Sequence, residues 1–422
     1  MNDGSLHIGF VSTRLAGIDG VSLEVDKWVE VLKELGHKSF YFAGLSDWPE
    51  DRGYIVDEAY FKHDDIQKIN HELFDKQQRS ENTANKISNL KSHLKQKLYQ
   101  FQRKFDIDLL IVENAWSLPI NIPLGIALSE YVGETGIPAI AHHHDFWWDR
   151  KRYMGSPIDD YLGAAFPSSH SKIQHVVINS VDRRQLSFRK GVSAALIPNV
   201  MNFNAEKDKA DHYADDMKEQ LGIDSSTKLL LQPTRIVPRK KIERAIELVK
   251  RINRDAVLVV THEAGDEGTA YLKYLQEYAK YFNVKVLFAE DRFDQNRGTL
   301  SDGRKIYSIA DAYQNCDLVT YTSQIEGFGN AFLESIYYKC PIVISAYEIF
   351  TLDIKPHGFK VIQLDDFITD KAADLVNYVL DNPLLVKEWV DNNFWLGQIY
   401  YSYETLKKRL QVLLEEPFGL MT

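Results

Sequence analysis

The chain has 422 residues, which is enough for two or three domains, each with its own hydrophobic core. Its composition is that of a globular protein, with 44% apolar and 26% charged residues. The net charge of −10 argues against a nucleic-acid-binding protein, which normally has a basic balance. We find no secretory signal and no apolar run of membrane-spanning length, so we expect a cytoplasmic protein with no integral membrane segment.

Short apolar strands alternate with helical patterns in the first half of the chain, which predicts a parallel sheet built from βαβ units. Residues 61–104 interrupt this alternation with a polar segment whose apolar residues recur at helical spacing. We predict one or two amphipathic helices there, packed on the first domain, in preference to a surface for a protein partner. The predicted strands of this half are 8–12, 38–43, 109–113, 138–142, 175–179 and 194–197.

A domain boundary is predicted near residue 200, because Pro198-Asn199 ends the last strand and the polar stretch 205–218 follows. A second series of strands and helices then begins. We therefore predict an α/β protein with two Rossmann-like parallel-sheet domains, residues 1–200 and 201–391, followed by an aromatic-rich helical tail, residues 392–422. The predicted strands of the second series are 228–232, 256–261, 284–288, 318–321, 342–345 and 360–362.

Polar side chains follow the predicted strand 109–113. Glu113 and Asn114 stand at its carboxyl end, which is the end where open parallel sheets bind ligands. We expect both residues to contact hydroxyl groups of an acceptor substrate.

Three consecutive histidines, residues 142–144, end the next strand and resemble a metal site at first sight. Successive strand residues point to opposite faces, so the three rings cannot easily share one ion, and we predict no metal. The segment continues with Trp147, Arg150 and Arg152. These side chains would suit an acceptor ring and an anionic group, although a surface loop anchored by tryptophan is an equal alternative.

A basic loop, residues 232–243, follows the first strand of the second series. Arginine and lysine at that end of the sheet would neutralise a diphosphate leaving group. The alternative is a solvated loop, where runs of charge usually lie.

Two carboxylates, Glu326 and Glu334, stand eight positions apart around a turn that contains Gly327 and Gly329. An apolar strand precedes the turn and a helical pattern follows it, which places a helix N-terminus where anionic ligands bind. The glycines let the backbone approach a ligand, and ionised carboxylates accept hydrogen bonds from hydroxyl groups. Solvated glutamates at this spacing also occur by chance, but the context favours a nucleotide sugar as the ligand.

This turn resembles the E-x7-E motif of the family-four retaining glycosyltransferases, which have the GT-B fold. Ser335 and Thr322 replace the usual Ala and Pro, and neither change affects a charge. The resemblance implies that the second glutamate binds the donor ribose, that the first binds hydroxyls of the donor sugar, and that the amides of residues 328–330 line the diphosphate. The tail would cross back to the first domain.

Other family positions are matched less closely. Arg235 and Lys240 match a family Arg and Lys five positions apart, with Lys241 where Gly is usual. His144 with Asp145 matches the histidine that faces the reacting sugar, and His143 is the alternative. The resemblance implies catalytic residues His144, Arg235, Lys240 and Glu326, donor-binding residues Gly20, Arg235, Lys240, Gly327, Phe328, Gly329, Asn330 and Glu334, and acceptor-binding residues Arg14, Asp19, Glu113, Asn114, His143, Asp145, Trp147, Arg150 and Arg152.

The implied reaction is transfer of a hexose from a nucleotide diphosphate to a small hydroxylated acceptor, with retention at the anomeric carbon and with no metal or other cofactor. Similarity to a subgroup that makes compatible-solute glycosides implies GDP-mannose as donor and an anionic acceptor such as glucosylglycerate. The alternatives are a sugar-nucleotide epimerase or a glycan phosphorylase of the same fold, or a non-catalytic nucleotide-sugar-binding protein. A homo-oligomer is compatible with the sequence.

Overall fold

The computed structural model describes residues 5–17, 20–205, 211–264, 269–365 and 367–418. The chain divides into two compact units. The first unit runs to Val200 and also includes the chain from Tyr403 onward, whereas the second unit is Met201–Ser402.

The first unit is built on a seven-stranded sheet in which every neighbouring pair of strands is parallel, in the order β3-β2-β1-β4-β5-β6-β7. Helices connect most of the strands, as parallel pairing requires. The elements are β1 His7–Val11, α1 Gly20–Glu34, β2 Lys38–Ala43, β3 Gly53–Ile55, α2 Asp64–Asn70, α3 Glu81–Phe105, β4 Leu109–Glu113, α4 Ile122–Thr135, β5 Ala139–His143, α5 Asp159–Ala165, β6 Ile173–Val177, α6 Ser180–Lys190 and β7 Ala194–Leu196.

The polar segment 61–104 forms α2, a π-helical turn at His71–Asp75, and most of α3. The apolar side of α3 carries Leu94, Leu98 and Phe101, which are buried in the same core cluster as Leu124 and Leu128 of α4. Their spacing of four and three residues places them on one helical face. The apolar face of α3 therefore belongs to the core of the first unit.

The second unit has a six-stranded parallel sheet in the order β10-β9-β8-β14-β15-β16. A separate three-stranded sheet, β11-β13-β12, was not predicted because its strands are only two to four residues long. The elements are α7 Met217–Gln220, β8 Lys228–Gln232, α8 Ile242–Ile252, β9 Ala256–Val260, α9 Thr269–Phe282, β10 Val286–Phe288, β11 Phe293–Asp294, β12 Gly298–Thr299, β13 Lys305–Ser308, α10 Ile309–Gln314, β14 Leu318–Tyr321, α11 Asn330–Tyr337, β15 Ile342–Ser345, β16 Ile362–Leu364, α12 Asp370–Leu380 and α13 Pro383–Tyr401.

The chain returns to the first unit through the last helix, α14, Tyr403–Phe418. Leu406 and Leu410 of this helix are fully buried in a core cluster with Trp28 of α1. The predicted start of the returning segment at residue 392 was wrong, because α13 continues in the second unit until Tyr401. Ser402 then interrupts the helix with an extended backbone, at φ −89° and ψ 165°.

The sixth strand of the first sheet also differs from its prediction, since it ends at Val177 and not at residue 179. Asn179 instead caps α6, where its side-chain oxygen accepts a hydrogen bond from the Asp182 backbone N–H. Asparagine favours this capping position over a strand interior. Within the described residues, every helix is too short or too polar to cross a lipid bilayer.

Candidate active site

The basic loop and the glutamate turn meet in the second unit because β8 and β14 are neighbouring parallel strands. Both segments leave the carboxyl end of their strand, so they lie at the same edge of the sheet. The Gln324 N–H donates to the Arg239 carbonyl at 2.9 Å, and the Thr322 hydroxyl donates to the Lys240 carbonyl at 3.0 Å. These bonds fix the loop that carries the cations against the loop that carries the first glutamate.

Lys240 and Glu326 form a direct, nearly buried ion pair across these two loops, with side chains 10% and 9% exposed. Arg239 approaches the other carboxylate oxygen at 3.3 Å. Burial acts to raise the pKa of Glu326, but the positive charges of Lys240 and Arg239 lower it below its ordinary value. Glu326 is therefore an ionised carboxylate held by two cations. Arg239, which the sequence led us to expect as an extra, solvated cation of the basic loop, is one of them.

The turn between the two glutamates is shaped by Gly329, the residue before α11, with φ +132° and ψ 72°. L side chains rarely adopt this conformation. A Cβ at Gly329 would also lie 2.5 Å from the Tyr347 hydroxyl, which donates to the Phe328 carbonyl at 2.7 Å. Phe328 is buried, Gly327 is exposed, and Asn330 is the first residue of the helix. The glycine is required both by the backbone angle and by close packing.

Glu334 lies one turn into α11 and accepts a hydrogen bond from the Tyr313 hydroxyl at 2.7 Å. Tyr313 is buried, which together with the charge of Glu334 raises the pKa of its hydroxyl far above the ordinary value. Tyr313 thus remains a neutral donor that orients the second glutamate. Tyr313 stands 21 positions from Glu334, so no local pattern could have predicted this partner.

Arg235 is exposed, and Lys240 is buried, although the two belong to the same loop. His262 follows β9 and lies near both cations. Burial, together with the positive charges of Lys240 and Arg235, lowers the pKa of His262 to about 4. His262 is therefore neutral near pH 7 and stands close to the cationic loop. Sequence reasoning missed it, although its place directly after an apolar strand was the available signal.

Lys241 adopts a left-handed conformation, with φ 50° and ψ 45°, immediately before α8. Such a position favours glycine, because a Cβ is strained there. The family resemblance placed Lys241 where glycine is usual, and the backbone supplies the physical reason for that preference.

In the first unit, Glu113 and residues of the histidine segment form a second cluster. Glu113 and His142 are register partners on β4 and β5. His142 Nδ1 lies 3.0 Å, and His144 Nε2 lies 3.2 Å, from one Glu113 carboxylate oxygen. The Glu113 side chain is buried. The predicted direct contact of Glu113 with acceptor hydroxyls was wrong, because its carboxylate faces two histidines inside the protein.

His143 points to the other face of the sheet, as strand alternation requires. Its Nδ1 bonds the Ser117 hydroxyl at 2.5 Å and its Nε2 lies 2.9 Å from His175 Nδ1. His143 is buried, and burial together with neighbouring histidines holds its pKa well below the ordinary value. The prediction that His143 binds acceptor was therefore wrong: it is a neutral core residue.

The side chains that follow the three histidines contact other residues of the first unit. Arg150 forms an ion pair with Asp145, and the Asn114 amide donates to the same carboxylate at 3.4 Å. The Trp147 indole N–H donates to the Phe166 carbonyl at 2.9 Å, and the Arg152 guanidinium lies 5.6 Å from the centre of a phenylalanine ring. Asn114, Asp145 and Trp147 are half-buried, whereas Arg150 and Arg152 are exposed.

Three predicted site residues belong to the loop between β1 and α1 or to the start of α1. The Arg14 guanidinium lies 5.6 Å from the centre of the Phe61 ring, and Gly20 is the exposed first residue of α1. Asp19 lies outside the described residues.

Among the described residues, Glu113, His142 and His144 also offer three ligand atoms within 4.8 Å of one another. Strand alternation separates His143 from its two neighbours, but it places His142 and His144 on the same face of the sheet. The His142 and His144 nitrogens lie 3.0 and 3.2 Å from one Glu113 oxygen, and both values are ordinary hydrogen-bond distances. We therefore describe these three side chains as a hydrogen-bonded cluster.

A small cavity of about 170 Å³ adjoins the glutamate turn in the second unit. Its lining combines polar and apolar surface in similar amounts. The lining residues are Arg244, Ser323, Gln324, Ser345, Ala346, Tyr347 and Asp365.

Comparison with known proteins shows the family of this chain. Residues 214–394 match the protein family described as Glycosyl transferases group 1. Mannosylglucosylglycerate synthase of Thermotoga maritima is 31% identical over 436 residues, covering 95% of this chain and 98% of the relative. The protein of the same name from Petrotoga mobilis is 33% identical, covering 85% of this chain and 86% of that relative. The chain belongs to the group 1 glycosyltransferases.

Solved structures support the fold of this glycosyltransferase. A glycosyltransferase from Rickettsia africae superposes with a TM-score of 0.69 at 12% identity, covering 99% of this chain and 100% of that chain. Anabaena HepE in complex with UDP-glucose gives a TM-score of 0.67 at 12% identity, covering 97% and 100%. At such identities the likeness concerns the fold alone. The predicted GT-B class, with two Rossmann-like parallel-sheet domains, is confirmed, as is the prediction of a glycosyltransferase.

Proposed function

We propose that this group 1 glycosyltransferase moves mannose from GDP-mannose to a small anionic acceptor such as glucosylglycerate, with retention at the anomeric carbon and without a metal ion. The proposal rests chiefly on two relatives named mannosylglucosylglycerate synthase, which are 31% and 33% identical over most of the chain. The carboxylates and cations at one edge of the second sheet support it, since they suit a hydroxyl-rich ligand with a diphosphate.

In the proposed reaction the acceptor hydroxyl oxygen attacks the anomeric carbon on the face from which the diphosphate leaves. The new glycosidic C–O bond forms, the C–O bond to the β-phosphate breaks, and a phosphate oxygen takes the acceptor proton. Arg235 and Lys240 neutralise the charge that develops on the diphosphate. Interactions of this kind are typically worth about 100–1,000-fold in kcat per donor.

Each glutamate has a separate part in the proposed binding of donor. Glu334, oriented by Tyr313, accepts the ribose hydroxyls, and Glu326 accepts hydroxyls of the hexose. The N–H groups of residues 328–330, at the start of α11, face the diphosphate, where the helix dipole favours negative charge. In the first unit, His144 is the proposed catalytic histidine, and the half-buried Asn114 is proposed to bind the acceptor.

The test is a transfer assay on the full chain with a panel of nucleotide sugars and with glucosylglycerate as acceptor. Mass spectrometry identifies the product, and NMR of the new glycosidic bond reports its anomeric configuration. GDP-mannose should give the largest kcat/KM, the product should retain the donor configuration, and EDTA should leave the rate unchanged. An inverted product, or a rate that EDTA abolishes and a divalent metal restores, would contradict the proposal.

The same assay separates the alternatives. An epimerase converts the nucleotide sugar with no acceptor, a phosphorylase needs inorganic phosphate, and a non-catalytic binder turns over nothing. Lys240→Ala should lower kcat by about 100-fold or more. Lys250→Ala is the matched control, because Lys250 is an exposed lysine at the far end of α8 and should leave kcat unchanged.

A further inference from the structure

The cluster at the carboxyl ends of β4 and β5 contains one carboxylate with two histidine partners. A carboxylate only accepts hydrogen bonds, so each ring nitrogen that faces Glu113 carries the hydrogen. His142 therefore donates from Nδ1 at 3.0 Å, and His144 donates from Nε2 at 3.2 Å. This assignment fixes the orientation of both rings and leaves the opposite nitrogen of each ring for other partners.

The two histidines differ in what surrounds them. The His142 ring stacks on the buried Trp28 ring, with centroids 4.3 Å apart and planes 27° from parallel. Its side chain is 1% exposed, and its Nε2 has no hydrogen-bond partner among the described residues. The His144 side chain is 9% exposed, so it is the member of the cluster that reaches the surface. Of the two rings, His144 is therefore the one more accessible to a ligand.

Charge favours a cationic ring at His144. Burial acts to lower the pKa of His144, but Glu113, Glu24 and Asp145 together raise it above the ordinary value. Burial likewise acts to raise the pKa of Glu113, yet His142 and His144 lower it to about 2. The carboxylate and the His144 ring thus stabilise each other's charged form inside the first unit.

We propose that Glu113 is a positioning residue, which holds the His144 ring by its Nε2–H so that the Nδ1 edge faces the sugar substrate. Glu113 itself does not touch the substrate. The inference rests on the proposed function for the identity of that substrate and for the catalytic role of His144. His142, which stacks on Trp28, donates to the same carboxylate and so helps to keep Glu113 in one orientation.

The experiment is a double-mutant cycle with Glu113→Gln and His144→Ala, measured as kcat and KM for the nucleotide sugar. Misplacing a reacting group by about 1 Å can cost about 100-fold in rate, so Glu113→Gln should lower kcat by about 10- to 100-fold. KM should change by less than about threefold. Because Glu113 acts through His144, the double variant should be no slower than His144→Ala alone. Losses that multiply in the double variant would overturn the proposal.

A second readout needs no turnover and so separates this proposal from the choice of substrate. Nitrogen-15 NMR of labelled histidine reports which ring nitrogen carries hydrogen, and the signals of His144 are those missing in His144→Ala. The wild type should show hydrogen on Nε2 of His144, and Glu113→Gln should change that signal. Glu113→Asp, which keeps the charge, should restore kcat at least partly and serves if the glutamine variant does not fold. An unchanged His144 signal in Glu113→Gln, or one stoichiometric metal ion bound by the purified wild type and lost in that variant, would refute the positioning role.

Discussion

Replacing Gly329 by alanine tests the turn between the two glutamates. The residue has φ +132°, and an added Cβ would lie 2.5 Å from the Tyr347 hydroxyl. The backbone strain is worth about 1–3 kcal/mol. Displacing the hydroxyl also weakens its 2.7 Å hydrogen bond to the Phe328 carbonyl, which is worth about 1 kcal/mol. We therefore expect Gly329→Ala to lower the free energy of unfolding by about 2–4 kcal/mol.

The measurement is thermal unfolding followed by circular dichroism. For a unit the size of Met201–Ser402, each kcal/mol corresponds to roughly 2–4 °C in Tm, so the expected decrease is roughly 5–15 °C. Gly303→Ala is the matched control, because Gly303 also has a positive φ of 87°, but no atom of the described residues lies within 4 Å of an added Cβ. It should cost only the backbone strain, about 1 kcal/mol.

A double-mutant cycle separates the two contributions at Gly329. Tyr347→Phe removes the hydroxyl, after which the nearest atoms to the added Cβ are those of Tyr321 at 3.4 Å. Gly329→Ala should therefore cost at least about 1 kcal/mol less in the Tyr347→Phe background. Equal costs in both backgrounds would show that the hydroxyl is not the obstacle. An unchanged Tm for Gly329→Ala alone would refute the assigned backbone conformation.

Three further substitutions test other parts of the second unit. Lys240→Met should lower Tm at pH 7, because breaking a nearly buried pair by removing one partner costs up to about 3–5 kcal/mol. The folded pKa of Glu326 is lowered from 4.5, so the ion pair stabilises the protein above pH 4.5 and loses this effect as the pH falls through the folded pKa. The difference in Tm between wild type and Lys240→Met should therefore become smaller in acid. A difference in Tm that does not change with pH would contradict this. Lys241→Gly should raise the free energy of unfolding by about 0.5–1 kcal/mol in urea titrations, because the left-handed residue loses its Cβ strain, whereas Lys241→Ala should not. Tyr313→Phe should weaken GDP-mannose binding roughly fivefold by calorimetry, since Glu334 loses a donor worth about 1 kcal/mol; unchanged affinity would show that the bond does not position Glu334.

Much of the fold could be predicted from the sequence, because buried parallel strands are short, nearly continuous apolar runs between polar loops. The β8 strand and the buried β4 strand lie at their predicted residues. The very short strand β3 and the sheet β11-β13-β12 were missed, since runs of two to four residues have no readable period. The end of β6 was misplaced because Asn179 caps a helix, a role set by local geometry.

The sequence by itself determined the glutamate turn, because every residue of that motif is local: strand, glycine, helix start and two carboxylates within one segment. Only the tertiary structure decided which side chain each carboxylate meets. Lys240 pairs with Glu326, 86 positions away, because β8 and β14 are neighbouring strands. The local periodicity of a sequence does not determine the order of strands in a sheet. Glu113 lies 31 positions from His144, so the sequence led us to expect a direct contact between Glu113 and the acceptor. The pairing of β4 with β5 instead places Glu113 beside the histidines. Burial and charge pairing arise from packing distant segments together, and no short stretch of sequence contains that information.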